Sequence, residues 1–292
     1  MIHMRTLDLP GPRPHDTSIS IEPPPFPATA AALLRMVAKE RVTLGEIAEV
    51  IASDAPLLAE LLRVANSAFV GARGEISSIE QAALILGLKK VAGIGTSVAL
   101  RSSLGALWKT ETVRHCWLHN LASALTAEGM ARTLDLAPDE AYSAGLLHDI
   151  GRFALLFKHQ GTYLHLLQGG PVGEDDFRAK EREEFGVDHA EAGRALLVTL
   201  GLPPVLVYAA ASHHDVLTPA TPESTVFTHV ACRIATSFGF GERAQGRGEH
   251  SESFDTLVEL LPEGYRVPLV RQAQHLENTV KTLMAAYERA LG

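Results

Sequence analysis

From residue 28 onward the apolar residues recur three and four places apart, as at Leu33, Leu34 and Val37, a spacing that lines them up on one face of an α-helix. The same period predicts helices over residues 57–66, 111–134, 139–147, 152–167, 189–200, 204–211, 224–238, 254–261 and 266–291. Thr43 with Glu46, and Ser77 with Glu80, have the spacing of a capping box, in which a hydroxyl and a carboxylate satisfy each other's free backbone amides. Asp54 followed by Pro56 opens a helix, because proline is tolerated where the first-turn amide has no intrahelical partner, and Gly87 closes the short helix after Ser78. No stretch shows the two-residue alternation of a half-buried strand, so the expected fold is all-α.

Two segments break this pattern. Residues 1–25 are dense in proline (Pro10, Pro12, Pro14, Pro23, Pro24 and Pro25), which excludes helix and predicts an extended, mobile arm. Residues 240–253 replace apolar side chains with glycine and charge, as a linker would, and residues 254–292 then resume as C-terminal helices that either dock on the core or serve a partner.

Composition narrows the function classes. The chain has 292 residues, 46% of them hydrophobic, enough to bury a substantial core. Its 34 acidic against 26 basic residues give a formal charge of -8, so no global field draws it to nucleic acid, and Arg63, Lys89 and Lys90 are too few to make a basic patch. The N-terminus has no apolar signal-like core, and residues 91–100 are half a membrane span interrupted by glycines, so a cytoplasmic location away from membranes is expected. Cys116 and Cys232 lack the spacing of a zinc knuckle or redox pair.

The stretch 145–152, GLLHDIGR, is the feature with chemistry in it: an apolar helix end that presents adjacent His148 and Asp149. Neighbours on a straight helix diverge by about 100°, so the two converge on one ion only near a helix end, which Gly151 supplies. His119, His189, His213 and His214 stand at helix-compatible positions on either side. Imidazole and carboxylate together suit a divalent iron, manganese, zinc or magnesium ion, and Asp149 bridging two ions would give a water acidified for phosphoester hydrolysis. Each has a plainer reading: His119 as a hydrogen-bonded core residue, His189 as part of a capped helix start set by Asp188 and Glu191, and His213 and His214 as polar residues at a helix end.

Read in order, Phe26-Pro27, residues 47–54 with Pro56, RVANSAF at 63–69, ISSI at 76–79 and the 82–88 stretch ending Leu-Gly-Leu resemble the leading helices of the HD-related output (HDOD) family. WLH at 117–119, GLLHDIG at 145–151, DHAEAG at 188–193, GLP at 201–203 and His213-His214 resemble its degenerate HD fold. The resemblance implies an N-terminal helical part, 26–108, packed on an HD-like part, 109–239, in a bacterial signalling module that works through protein partners and lacks efficient hydrolysis. It also implies a metal ligand set of His119, His148, Asp149, His189 and one of His213 or His214. The last ligand of the superfamily is usually aspartate, where this chain carries Cys232; losing that carboxylate weakens a site or shifts its metal choice. Arg152, where hydrolytic relatives carry lysine, is a candidate phosphate contact. The Gly-Tyr-Pro motif of cyclic-dinucleotide phosphodiesterases is missing. Metal-dependent phosphohydrolase or phosphodiesterase is therefore the alternative, and a nucleotide-binding or nucleic-acid-binding regulator the second.

Overall fold

The computed structural model describes residues 26–52, 54–69, 76–170, 173–241 and 252–291. The expectations for residues 1–25 and for most of the 240–253 linker fall outside them. Among the described residues there are helices and no strand: α1 (Ala28–Ala38), α2 (Leu44–Ala52), α3 (Ala55–Phe69), α4 (Ile79–Leu86), α5 (Leu88–Leu104), a 3-10 turn at Leu107–Lys109, α6 (Glu111–Thr133), α7 (Pro138–Leu147), α8 (Gly151–Gly169), α9 (Glu174–Phe185), α10 (His189–Thr199), α11 (Pro204–Ser212), α12 (Glu223–Ser237), α13 (Phe254–Val258) and α14 (Glu263–Leu291). The all-α expectation is met. No single helix among the described residues is long and apolar enough to cross a membrane.

Helices α5 and α9 are not among those the apolar period predicts, for opposite reasons. In α5, residues 91–100 are all buried, so the helix has no polar face to set a period. It packs between α1 and α3, and at Gly93 it approaches α7 so closely that an added Cβ would lie 2.5 Å from the Tyr142 hydroxyl. In α9, EDDFRAKEREEF, the buried residues are Phe177 and Glu181, too few apolar positions to show a stripe.

The capping signals mostly hold. Thr43 and Glu46 form the expected box, with Thr43 N–H donating to Glu46 Oε2 at 2.9 Å and Glu46 N–H to Thr43 Oγ1 at 3.3 Å. The second signal is displaced by one residue from the expected Ser77 and Glu80 and is an N-cap without the reciprocal half of a box. Ser78 is the N-cap, its hydroxyl accepting from Gln81 N–H, while Gln81 Oε1 accepts from Ser77 N–H at 2.8 Å. Ser77-Ser78 offers two hydroxyls one residue apart, and the neutral amide of Gln81 reaches back to Ser77 rather than to the N–H of the N-cap. Gly87, at φ 88°, caps α4 and starts α5, turning the chain by 120°.

The two halves share one core. Trp117 on α6 donates to Ser97 Oγ on α5 at 2.9 Å and meets Phe153 on α8 edge-on at 5.3 Å. Ser143 on α7 donates to Val37 O on α1 at 2.6 Å. The C-terminal helices dock back rather than standing free: α14 packs on α3 and α6, burying Leu276, Val280, Met284 and Tyr287, and Leu291 O accepts from Trp108 Nε1 at 3.1 Å.

Candidate metal centre

Helix α7 ends at Leu147 with His148 as its C-cap, and α8 starts at Gly151, so His148 and Asp149 occupy the turn between two helices. This break turns the adjacent side chains into one interior. His119 comes from the middle of α6, His189 opens α10, His213 and His214 follow α11, and Cys232 lies on α12. His119, His148, Asp149, His189, His213 and Cys232 are all buried. At the His189 helix start Asp188 and Glu191 form the full capping box, and the His189 side chain is buried.

The donors fall into two groups. Nε2 of His119 is 3.2 Å from Nε2 of His148 and 3.3 Å from Sγ of Cys232. On the other side, His189, His213 and His214 bring one ring nitrogen each within 4.8 Å of one another. Asp149 leans toward this second group, with Oδ1 at 3.5 Å from His189 Nε2 and 3.8 Å from His213 Nε2. The groups adjoin, since the His148 and His213 rings meet edge-on at 4.9 Å.

Backbone and carboxylate acceptors orient four of the rings. Nδ1 of His119 lies 2.7 Å from Phe240 O, Nδ1 of His148 2.7 Å from Gly145 O, and Nδ1 of His213 2.8 Å from Ala210 O. Nδ1 of His189 lies 2.6 Å from Glu181 Oε2. A carbonyl oxygen only accepts, so Nδ1 of His119, His148 and His213 each carries a proton, and in all four rings Nε2 is the nitrogen turned toward the other donors. Metal-binding histidines are held in this way by their second nitrogen. Asp149 Oδ1, His189 Nε2 and His214 Nε2 are buried and have no hydrogen-bond partner among the described residues, a costly state that a shared cation would relieve. The donor set therefore fits a divalent metal.

Two carboxylates missing from the expected set complete the surroundings. Glu174 Oε1 is 3.6 Å from His189 Nε2 and 3.5 Å from His214 Nε2. Glu181 Oε2 holds His189 through both its ring and its backbone N–H, while Oε1 accepts from the Tyr163 hydroxyl at 2.5 Å. Their spacing of seven residues, two helical turns, was the available signal, but it lies in a helix that shows no apolar stripe. Arg152, the candidate phosphate contact, makes its described contacts inside the protein. It is fully buried, with Nε on Asp149 Oδ2 at 2.5 Å, a terminal nitrogen on Glu174 at 3.1 Å, and its guanidinium over the Phe177 ring at 5.3 Å.

Charge coupling inside this cluster is strong. Burial and the Arg152 guanidinium push the His189 imidazole down, but the Glu181 and Asp149 carboxylates outweigh them and hold its pKa up at about 9. Burial raises Glu181, whereas the His189 and Arg152 charges and the Tyr163 hydroxyl bring it down to about 2. His214 is pushed well below the usual imidazole value by burial and then by the His189 and Arg152 charges. For the metal-free protein, Glu181 contributes stability that is complete above 4.5 and lost as pH falls through about 2. His189 contributes stability that is complete below 6.5 and lost as pH rises through about 9. Metal-free protein should accordingly be most resistant to urea between those inner limits, and Glu181→Gln should flatten the acid limb and weaken the alkaline one. A variant whose pH profile overlays that of wild type would show that this pair does not couple to folding.

The sequence profile of the HDOD domain matches residues 24–216, about two thirds of the chain. The chain belongs to the HDOD domain family. Similar solved structures include an HDOD domain protein of unknown function from Geobacter sulfurreducens, 24% identical, covering 90% of this chain and 93% of that one with a TM-score of 0.63. A Shewanella amazonensis SB2B protein, provisionally named a phosphohydrolase, is 21% identical over 89% of this chain and 94% of its own, with a TM-score of 0.61. A Marinobacter aquaeolei VT8 protein, provisionally named a signal transduction protein, is 21% identical over 91% of this chain and 60% of its own, with a TM-score of 0.62. At these identities the likeness establishes the HDOD fold. An uncharacterized protein of Treponema pallidum (strain Nichols) is 23% identical over 270 residues, and the chain spans 50% of that relative's length.

Proposed function

We propose that this HDOD protein is a regulatory signalling module acting through protein partners, in which the buried centre holds a divalent metal as a clasp between helices and supports little or no hydrolysis. The observation that carries this reading is the closure of the centre. His119, His148, Asp149, His189, His213 and Cys232 are all at most 5% exposed, so the donors face one another inside the helices and not the solvent. A metal held there would neutralise Asp149 and satisfy the inward-facing imidazoles. It would thereby tie the ends of α7, α8, α10 and α11 to α6 and α12.

A cavity of about 590 Å³ lies between α1, α3 and α5 and shares no lining residue with the centre. It is a poor home for a nucleotide, because Asp54 and Glu60 line it with carboxylates and its Arg101 is already paired with Glu60. This disfavours the nucleotide-binding alternative.

The metal-dependent phosphohydrolase reading is favoured by one feature, the hard donor Asp149 beside three histidines. Purified protein supplied with manganese or iron, and offered cyclic dinucleotides and generic phosphoesters, distinguishes the two. The regulatory reading expects turnover no greater than that of the His148→Ala/Asp149→Ala variant. Robust wild-type turnover that disappears in the double variant would establish the hydrolase instead.

A further inference from the structure

We propose that the centre consists of two unlike half-sites, and that Cys232 makes one of them a thiolate–imidazole site for a zinc-type ion. The inference rests on the reading of the centre as a metal clasp and assigns its metal chemistry. The first half-site is His119, His148 and Cys232, whose donor atoms all lie within 4.8 Å of one another. Donors on a tetrahedron around zinc, at about 2.0–2.3 Å, stand roughly 3.3–3.8 Å apart. The His119–Cys232 separation of 3.3 Å sits at the short edge of that range and the His119–His148 separation of 3.2 Å just below it, so a small outward shift of the rings admits an ion.

The tautomers strengthen the case. With Nδ1 of both rings held by Gly145 O and Phe240 O, Nε2 of His119 faces Nε2 of His148 and Sγ of Cys232 in one hydrogen-bonded trio, and an ion that displaces the shared protons would take a lone pair from each. The Cys232 thiol adjoins the same point. On binding, the Cys232 S–H bond breaks, its electron pair forms the sulfur–metal bond and the proton leaves to solvent, with no change of oxidation state. One thiolate and two neutral imidazoles form a soft-to-borderline set, the kind that selects zinc over magnesium or manganese.

The second half-site differs in charge and hardness. There Asp149 joins His189, His213 and His214, Glu174 adds a carboxylate, and Arg152 holds the far oxygen of Asp149. Oxygen donors at this side favour iron or manganese more than the sulfur side does. Cys232 on one side and Asp149 with Glu174 on the other thus divide the centre by metal preference.

Cobalt(II) is the probe, because it takes zinc sites and a thiolate ligand gives it an intense near-ultraviolet charge-transfer band that imidazole and carboxylate do not. Metal-stripped full-length protein should bind two cobalt ions, show this band, and lose it when zinc is added. In Cys232→Ser and Cys232→Asp, both checked for native helical content by circular dichroism, the band should vanish while the weaker visible absorption of the second ion remains. Cys116→Ser should keep the band. Cobalt binding without a sulfur band, or a band that survives in both Cys232 variants, would overturn the thiolate half-site and leave the clasp standing. Failure to bind cobalt at all would overturn the inference and the clasp together.

Discussion

Gly151→Ala should be the most damaging single-methyl change in the protein. A Cβ at Gly151 would stand 1.8 Å from His189 O and 2.5 Å from Gly193 N, and both obstacles are backbone. No side chain can rotate away, so α8 and α10 must separate where His148, Asp149 and His189 meet. Forcing extra volume into a packed interior costs about 1–3 kcal/mol and occasionally more, and a backbone obstacle puts this case at or above the upper end. Gly193→Ala is the internal comparison, since its Cβ would meet Gly151 N at 3.3 Å and Gly151 Cα at 3.5 Å, a crowding that shifts of a few tenths of an ångström relieve. Urea unfolding should rank Gly151→Ala well below Gly193→Ala, with metal retention lost in the former. Equal midpoints would show that the α8–α10 crossing is not the tight contact described.

Asp149→Ala is expected to be nearly as severe, for an electrostatic reason. Arg152 is fully buried, and Asp149 Oδ2 receives its Nε at 2.5 Å. Removing one partner of a buried ion pair costs about 3–5 kcal/mol, because the remaining charge stays in the interior without its neutraliser. Glu174 at 3.1 Å and Glu181 at 4.0 Å from other guanidinium nitrogens would recover part of that loss. The Asp149→Leu/Arg152→Met double variant removes both charges and should regain much of the stability lost by Asp149→Ala alone. Denaturation of the metal-free proteins measures this directly, and a double variant no more stable than Asp149→Ala would show that the uncompensated guanidinium is not the cause.

The parts of the fold legible in the sequence are those where one residue or a short local pattern decides the geometry. Thr43 with Glu46, Asp188 with Glu191, Gly87, and the helix break implied by Gly151 are all of this kind, and the long amphipathic helices declare themselves by period. Helix α5 is hidden because a helix buried on every side has no period to read. Helix α9 is hidden because it buries Phe177 and Glu181 and little else apolar. In the site, the family resemblance points to His119, His148, Asp149, His189 and one of His213 or His214, but nothing local shows how they divide. That division depends on α12 carrying Cys232 to within reach of His119 and on α9 carrying Glu174 and Glu181 to His189. Both are tertiary contacts, and the Cys232–His119 pair is separated by 113 positions in the chain. Arg152 shows the same limit: its residue type suggests an anion contact, and only its depth reveals that the anions are Asp149 and Glu174.

On the reading proposed above, a metal ion stabilises the folded helices around a buried centre. The measurement that meets it most directly is thermal unfolding of metal-stripped protein with and without added zinc or manganese. An ion that binds the folded chain and not the unfolded one, at about 1,000 times its dissociation constant, adds about 4 kcal/mol, a rise in midpoint of roughly 5–10 °C for a chain of this size. Wild type should show such a rise, and the His148→Ala/Asp149→Ala variant should lose it. A wild-type midpoint that does not move with either metal would contradict that reading.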